Sequence, residues 1–175
     1  MKTLINTLFA LVIMCVLTTV SCTPKNYLSS KDLESSMVDS PQTQADIDRN
    51  KIIKYAKAKK LKGNFTESGI FYVIEDAGDG IERPTTESKI TAHYTGRLLS
   101  GKKFDSSLDR DEPLEFKLGQ VIKGWQEACR MLGKGGKGTF IIPSGLAYGD
   151  RAVGQDITEN SVLLFAMELI DFRME

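Results

Sequence analysis

The sequence predicts an α+β fold in which an antiparallel β-sheet is wrapped on one short α-helix and preceded by an N-terminal helical extension. The first observation is the order of patterns after Ser68, which runs strands, one helix, strands. The second is that all 15 glycines lie at or after Gly63, which marks a border between extension and domain. A chain of 175 residues with 41% hydrophobic residues suits one globular domain with extensions.

The first residues have the pattern of a targeting segment. Lys2 is followed by an apolar run over residues 8–17, which is shorter than the ~20 residues that a membrane span needs. We therefore interpret residues 1–21 as a secretory signal peptide. The stretch TVSC, which ends at Cys22, resembles the lipobox of bacterial lipoproteins and implies that the Cys22 thiol is lipidated. This predicts an anchor to a membrane of the cell envelope, facing the periplasm; ordinary cleavage near Ser21 is the alternative.

The next two segments differ in composition. Residues 22–42 are rich in polar side chains and predict a flexible lipidated tether. Residues 43–65 predict an N-terminal helix, because residues 43–62 contain neither Gly nor Pro and are followed by Gly63, a helix stop signal.

The predicted N-terminal helix has a narrow apolar stripe formed by Ile52, Tyr55 and Ala56. We expect a solvated helix that packs lightly on the domain. Two alternatives are contact of its six lysines between Lys51 and Lys62 with anionic lipid, and weak coiled-coil dimerisation.

Residues 66–175 form the predicted main domain. Its elements are strands over 70–75, 89–98 and 114–118, a helix over 121–132, and strands over 139–142 and 162–172. In the second strand, alternation places Ile90, Ala92 and Tyr94 on one face. Alternation in the last strand likewise places Phe165 and Met167 on one face.

Five short segments form a specific signature in this domain: HYTG at 93–96, FDSS at 104–107, FKLGQVIKGW at 116–125, AYG at 147–149 and LLFAMEL at 163–169. In this order, over about residues 66–173, they resemble the FKBP-type peptidyl-prolyl cis-trans isomerases. Together with Cys22 they resemble a bacterial lipoprotein member of that family. The resemblance implies a curved antiparallel sheet over one helix, with the ligand held between them.

Carried over position by position, the resemblance implies a pocket with Trp125 as its floor. The implied catalytic positions are Tyr94, Phe104, Asp105, Ile122, Trp125, Tyr148 and Phe165. The implied substrate-binding positions are Val121, Ile157 and Arg110, the last behind Asp105. The backbone N–H of Ile122 and the hydroxyl of Tyr148 would donate hydrogen bonds to substrate carbonyl oxygens.

Three features depart from the family pattern. The usual Ile-Pro-Pro of the last loop reads Ile157-Thr158-Glu159, which removes the rigidity of proline and adds a charge. Leu114 stands where the family often has an aromatic residue, and Val153 takes a rim position that is commonly polar. Loop conformation and substrate preference are therefore open, whereas the floor of the pocket is retained.

These features favour a peptidyl-prolyl isomerase that assists the folding of exported proteins. Its partners would be Xaa-Pro segments of unfolded or exported proteins, and we expect no cofactor. Rotation about the bond requires no proton transfer, which explains why the pocket lacks an acid–base pair. One alternative is a module with little turnover that binds a proline-bearing loop of an envelope machine, such as one for gliding motility. Another is a holdase chaperone, in which one of the alternating sets of Phe140, Ile141 and Ile142 faces outward as an apolar patch.

The remaining candidates have structural interpretations. Equal numbers of basic and acidic side chains, 23 each, predict no nucleic-acid partner. His93 is the single histidine and lies on the strand face opposite Tyr94, so we expect no metal site. Cys129 has helical spacing with Trp125 and is expected to be a small buried residue. Phe116 and Phe172 are assigned to packing.

Overall fold

The computed structural model describes residues 27–174, so the predicted signal peptide and Cys22 lie outside the described part of the chain. The helices in this part are α1 (Ser30–Ser35), α2 (Gln44–Ala58) and α3 (Lys123–Arg130). The strands are β1 (Asn64–Phe65), β2 (Phe71–Asp76), β3 (Ser88–Leu98), β4 (Lys103–Ser106), β5 (Leu114–Lys117), β6 (Lys137–Ile142) and β7 (Leu163–Met174). A search of residues 27–174 finds no helix that is long and apolar enough to cross a bilayer.

The strands form one sheet in the order β1-β2-β6-β7-β3-β4, and β5 pairs with β3 outside this path. All of these pairings are antiparallel, which confirms the predicted α+β fold class. The longest pairing joins β3 to β7, from Ser88 opposite Met174 to Leu98 opposite Leu163. A register shift in this pairing, next to Ala92, lets Leu169 and Phe172 face the same side although they are three residues apart.

The inner face of the sheet packs against α3. We call the apolar residues between them the inner cluster; it includes Tyr94, Trp125, Phe140 and Phe165. Helix α3 begins two residues later than predicted, because Leu118–Gln120 forms a 3₁₀ turn and the next two residues are extended.

The outer face of the sheet is covered by α2. Ile52, Ile53 and Ala56 are each 0% exposed and pack with residues of β2, β6 and β7 in what we call the outer cluster. Its members are Leu33, Ile52, Ile53, Ala56, Phe71, Ile141, Val162 and Leu164. The expectation of a lightly packed helix is therefore wrong.

The outward-facing apolar patch proposed for a holdase is also absent from β6. Phe140 and Ile142 belong to the inner cluster, and Ile141, which points the other way, belongs to the outer cluster. All three side chains are 0% exposed. The alternation along the strand was correct, but the sequence did not indicate that the predicted N-terminal helix covers the outer side of this strand.

Helix α1 lies within the segment predicted to be a flexible tether, and this part of the prediction is wrong. A capping box joins Ser29 to Asp32, and Leu33 is buried to 2% exposure in the outer cluster. The segment is also attached at its start, where the Leu28 N–H donates to the Gly63 carbonyl at 3.1 Å. Burial of Leu33, with Leu28 and Met37 packed beside it, thus holds a polar segment on the sheet.

Helix α2 ends earlier than the sequence suggested. Lys60 adopts a left-handed conformation (φ 53°), and the Leu61 N–H donates to the Ala56 carbonyl at 2.9 Å. With the Lys60 N–H on the Lys57 carbonyl at 3.0 Å, this is a Schellman motif, which usually places a glycine at the left-handed position. Gly63 follows the motif and does not terminate the helix itself.

Candidate functional site

A cavity of about 320 Å³ opens between α3 and the inner face of the sheet. Its lining residues are Tyr94, Phe104, Asp105, Leu114, Gln120, Val121, Ile122, Trp125, Tyr148 and Phe165. Eight of these were predicted as site residues, and the fold brings them together from five separate segments; a ninth, Leu114, was named as a departure from the family pattern. Gln120 was missed, because it belongs to the 3₁₀ turn that the sequence pattern did not resolve.

Two predicted residues lie beside the cavity and not on its wall. Ile157 is 7% exposed and packs in the inner cluster. Arg110 stands behind Asp105 and pairs with it at 2.5 Å. Both therefore support the lining from the rear.

The floor of the cavity is the indole of Trp125, which is 6% exposed. Tyr94 and Phe165 meet it edge to face, with ring centroids 4.8 Å and 5.2 Å away. Phe116 packs on it at 5.3 Å from another side. Edge-to-face pairs of this kind hold each ring in one orientation, so the floor is a fixed apolar surface.

The wall opposite the helix depends on a glycine. Phe104 and Phe165 meet edge to face at 5.7 Å, directly over Gly96. A Cβ atom on Gly96 would lie 2.6 Å from the Phe104 ring and 3.0 Å from the Phe165 ring. This contact explains the glycine of the HYTG segment, because no larger residue leaves room for the two rings.

The segment that leads into α3 forms the rim. The Gln126 amide donates to the Val121 carbonyl at 2.8 Å and to the Gly119 carbonyl at 3.4 Å. Ile122 is the N-cap residue of α3, and its carbonyl accepts from the Trp125 N–H at 3.0 Å. Gln126 was not identified from the sequence, although its side chain holds the backbone of the rim at Gly119 and Val121.

The polar side of the cavity is a small network of Tyr94, Asp105 and Arg110. The Tyr94 hydroxyl donates to Asp105 and accepts from the Arg110 guanidinium at 3.1 Å. Burial raises the pKa of Asp105, but the hydrogen bonds from Tyr94 and Arg110 outweigh it, so the net pKa lies below the ordinary value. Burial also raises the pKa of the Tyr94 phenol, and the bond to Asp105 adds to this. At neutral pH the network therefore holds a phenol, a carboxylate and a guanidinium, each already engaged.

Tyr148 stands on the segment after β6. The carbonyl of Ser144 accepts from the N–H groups of Ala147 at 2.9 Å and Gly149 at 2.8 Å, the two neighbours of Tyr148. Gly149 has a left-handed conformation (φ 62°), which suits the turn that follows. The ring of Tyr148 thus reaches the cavity from a closely hydrogen-bonded turn.

The last loop lacks the prolines of the family but is tied in other ways. Val153 and Ile157 form a two-bond bridge, at 2.8 Å and 3.3 Å between N and O atoms. The Asn160 N–H donates to the Gly149 carbonyl at 2.7 Å. Lys102, from the turn between β3 and β4, pairs with Asp156 at 2.5 Å. These links take over part of the ordering that proline would provide.

The other chemically active side chains lie outside the cavity. His93 points to the other face of β3, where its Nδ1 atom meets the Ser107 hydroxyl at 3.0 Å. Cys129 is fully buried, and burial raises the pKa of its thiol to about 12. Within residues 27–174 no group of His, Cys, Asp and Glu side chains has the arrangement of a metal site.

Comparisons with known proteins agree with this geometry. A family model described as FKBP-type peptidyl-prolyl cis-trans isomerase matches residues 80–170. A probable FKBP-type peptidyl-prolyl cis-trans isomerase of Haemophilus influenzae is 46% identical over 118 residues, which are 67% of this chain and 48% of that protein. FkpA of Aeromonas hydrophila, an FKBP-type peptidyl-prolyl cis-trans isomerase, is 46% identical over 115 residues, which are 66% of this chain and 42% of that protein.

Solved structures give the same result. The crystal structure of FkpA from Escherichia coli superposes with a TM-score of 0.66 at 35% identity, covering 82% of this chain and 64% of that one. A peptidyl-prolyl cis-trans isomerase of Pseudomonas syringae gives a TM-score of 0.63 at 30% identity, covering 78% of this chain and 99% of that one. The chain spans about half the length of the curated relatives it matches.

Proposed function

The chain belongs to the family of FKBP-type peptidyl-prolyl cis-trans isomerases, and we propose that it accelerates the isomerisation of Xaa-Pro bonds in exported proteins of a bacterial cell envelope. The observation that carries the proposal is the open apolar cavity over Trp125, lined by four further aromatic rings. Such a cavity suits a proline ring in size and polarity. Because the cavity opens to the surface, it also leaves room for the polypeptide on both sides of the proline.

The physical problem is a bond that rotates slowly. Resonance between nitrogen and carbonyl gives a rotation barrier of roughly 18–20 kcal/mol. The two isomers of Xaa-Pro differ by only about 0.5–1 kcal/mol, so both populate unfolded chains and exchange over tens to hundreds of seconds. A catalyst must therefore bind the twisted state more tightly than either planar state.

The cavity can supply this preference by excluding water. In the twisted state conjugation is lost and the carbonyl oxygen is less polarised, so apolar surroundings favour it over the planar amide. Trp125 would hold the proline ring, while the Ile122 N–H and the Tyr148 hydroxyl orient the flanking carbonyl groups. Asp105 and Arg110 keep the Tyr94 ring in place. Each ~1.4 kcal/mol of differential binding is worth about tenfold in rate.

The direct test is the rate of cis-to-trans isomerisation of a proline-containing tetrapeptide. We expect Trp125→Ala to lower kcat/KM by at least about tenfold, because it removes the floor. Tyr148→Phe removes one hydrogen-bond donor and should lower kcat/KM about three- to tenfold. Tyr55→Phe is the matched control, since Tyr55 packs against the outer cluster.

Two outcomes would contradict the proposal. If the wild type does not exceed the uncatalysed rate, the chain is not an isomerase for such peptides. If it binds the peptide in a Trp125-dependent way without accelerating exchange, the cavity serves as a proline-binding module, which is one of the alternatives named from the sequence.

We also propose that Cys22 carries the lipid that holds the domain at a membrane. The support is the apolar run at residues 8–17 followed by the lipobox-like TVSC stretch. Labelling of the full chain with a radioactive fatty acid in a bacterial host should be abolished by Cys22→Ser and retained in Cys129→Ser. Label that survives Cys22→Ser would refute the assignment.

A further inference from the structure

The side chain of Asp48 is 0% exposed, although it belongs to a surface helix. Buried carboxylates are rare unless they are paired and hydrogen-bonded, because removing a charge from water is costly. The position of Asp48 in α2 places it outside the family signature, and it lines no part of the cavity. Its burial must therefore be explained by contacts between α2 and the segment that packs against it.

The neighbour is the turn that follows β6. One carboxylate oxygen of Asp48 accepts from the backbone N–H of Ser144 at 2.8 Å and from the Ser144 hydroxyl at 2.5 Å. The other oxygen accepts from the Gln44 amide at 2.7 Å and faces the Lys51 ammonium at 3.4 Å. Both oxygens are thus engaged, and two of the four bonds go to Ser144.

Ser144 in turn holds the residues on both sides of Tyr148. Its carbonyl accepts from the N–H groups of Ala147 and Gly149, at 2.9 Å and 2.8 Å. Ser144 is itself buried, at 1% exposure, so its polar groups have little access to water as substitutes. The position of the Tyr148 ring consequently depends on two hydrogen bonds to one carboxylate oxygen in the N-terminal helix.

A second link joins the same helix to the last loop. The Lys51 ammonium, beside Asp48, lies 3.5 Å from the carbonyl of Asn160, whose N–H donates to the Gly149 carbonyl at 2.7 Å. The turn that contains Ser144 and the loop that contains Asn160 are therefore both bonded to one turn of α2.

We propose that Asp48 is a positioning residue for the prolyl site, which sets the place of the Tyr148 hydroxyl through Ser144. This inference rests on the proposed function for its catalytic consequence, although the placement itself can be measured without activity. It gives the N-terminal extension a role in the site, beyond covering the sheet.

The placement is tested by amide hydrogen exchange on the whole domain. In Asp48→Ala we expect exchange at Ala147 and Gly149 to accelerate by at least about tenfold, while amides in the middle of β3 and β7 keep their protection. Asp46→Ala is the matched control: Asp46 is a half-buried capping residue on the first turn of α2, and its partners are Thr43 and Gln42. Equal exchange at Ala147 in the two variants would overturn the placement.

The catalytic consequence is tested by a double-mutant cycle in the peptide assay. Asp48→Ala should lower kcat/KM about three- to tenfold in the wild type, but less than about twofold in the Tyr148→Phe background. A residue that only stabilises the fold would give the same factor in both backgrounds, and that result would refute the proposal.

A third variant guards against failure of Asp48→Ala to fold. Ser144→Ala keeps the backbone N–H bond but loses the hydroxyl bond to Asp48, so it should show the same coupling to Tyr148 with a smaller factor. If the wild type shows no isomerase activity, the proposed function fails, and faster exchange at Ala147 and Gly149 would still support the placement.

Discussion

The two faces of the sheet are built from the same strands and differ in what covers them. On β6, Phe140 and Ile142 enter the inner cluster while Ile141 enters the outer one, and on β7 Phe165 and Leu164 divide in the same way. The outer face is closed by α1 and α2 with mainly aliphatic side chains. The inner face carries most of the aromatic rings and keeps a cavity of about 320 Å³ open.

This difference indicates a division of labour. An open cavity leaves its lining atoms without packing partners on one side, which lowers stability. Four rings that meet edge to face hold the cavity in shape without filling it. The outer face also has a cavity, of about 310 Å³ between α1 and the end of α2, but Ile52 and Ile53 under the middle of α2 are fully buried and can provide stability that the inner face gives up.

The largest effect should come from the closed face. Ile53→Ala removes a fully buried side chain from the outer cluster and should lower the free energy of unfolding by about 2–5 kcal/mol, measured by urea denaturation. We expect kcat/KM of the folded protein to change less than about twofold. The exposed neighbour Lys54→Ala is the control. A large fall in kcat/KM with little loss of stability would contradict the assignment of stability to the outer face and of activity to the inner face.

On the open face, Gly96→Ala should have the opposite balance. The added Cβ meets the Phe104 ring at 2.6 Å, so the ring must move into the cavity. We expect kcat/KM to fall about tenfold and the free energy of unfolding to fall by about 1–3 kcal/mol. Thr95→Ala, next in the strand but bonded to Ser106 on the other face, should leave kcat/KM nearly unchanged.

A smaller effect should follow from the start of α2. Thr43→Ala removes the side-chain half of the capping box with Asp46 and should cost about 1 kcal/mol of unfolding free energy. The melting temperature should fall by a few degrees, with kcat/KM per folded molecule unchanged. A loss of several kcal/mol would mean that the cap supports more than the first turn of the helix.

The smallest effect concerns pH. Because the folded pKa of Asp105 is depressed, its network stabilises the fold above the unfolded pKa of about 3.9, and this contribution is lost as pH falls through the lower folded value. The stability difference between wild type and Asp105→Asn should therefore be constant near neutral pH and shrink below about pH 4. The side chain is 42% exposed, so water screens the effect. A difference that grows toward low pH would contradict the assigned sign.

The two faces also differ in how far the sequence predicts them. The signature of the inner face is carried by segments in which glycines and aromatics have fixed spacing, as in HYTG and FKLGQVIKGW, so the pocket residues could be named in advance. Strand β4 was not assigned, because its four residues are too short for a periodic pattern.

The outer face has no such signature. Its cover depends on Leu33 in α1 and on a short apolar group in α2 that contains Ile53, whose burial is decided by contact with strands far along the chain, among them β6 and β7. The capping boxes at Ser29 and Thr43 were the readable signals for both helices, since each is followed by an aspartate three residues later. The early end of α2 could not be predicted from the sequence, because Lys60 occupies the left-handed position at which glycine usually signals the end of a helix.

The hydrogen bond from Leu28 to Gly63 limits how far the domain could move away from a membrane to which Cys22 is anchored. If Cys22 carries a lipid, the six peptide units from Cys22 to Leu28 are all that separate the bilayer from the folded body. Fully extended, a segment of this length spans at most about 20 Å. The domain would then stay within a thin layer above the lipid headgroups, and the proposed isomerisation would be confined to polypeptides that reach this layer.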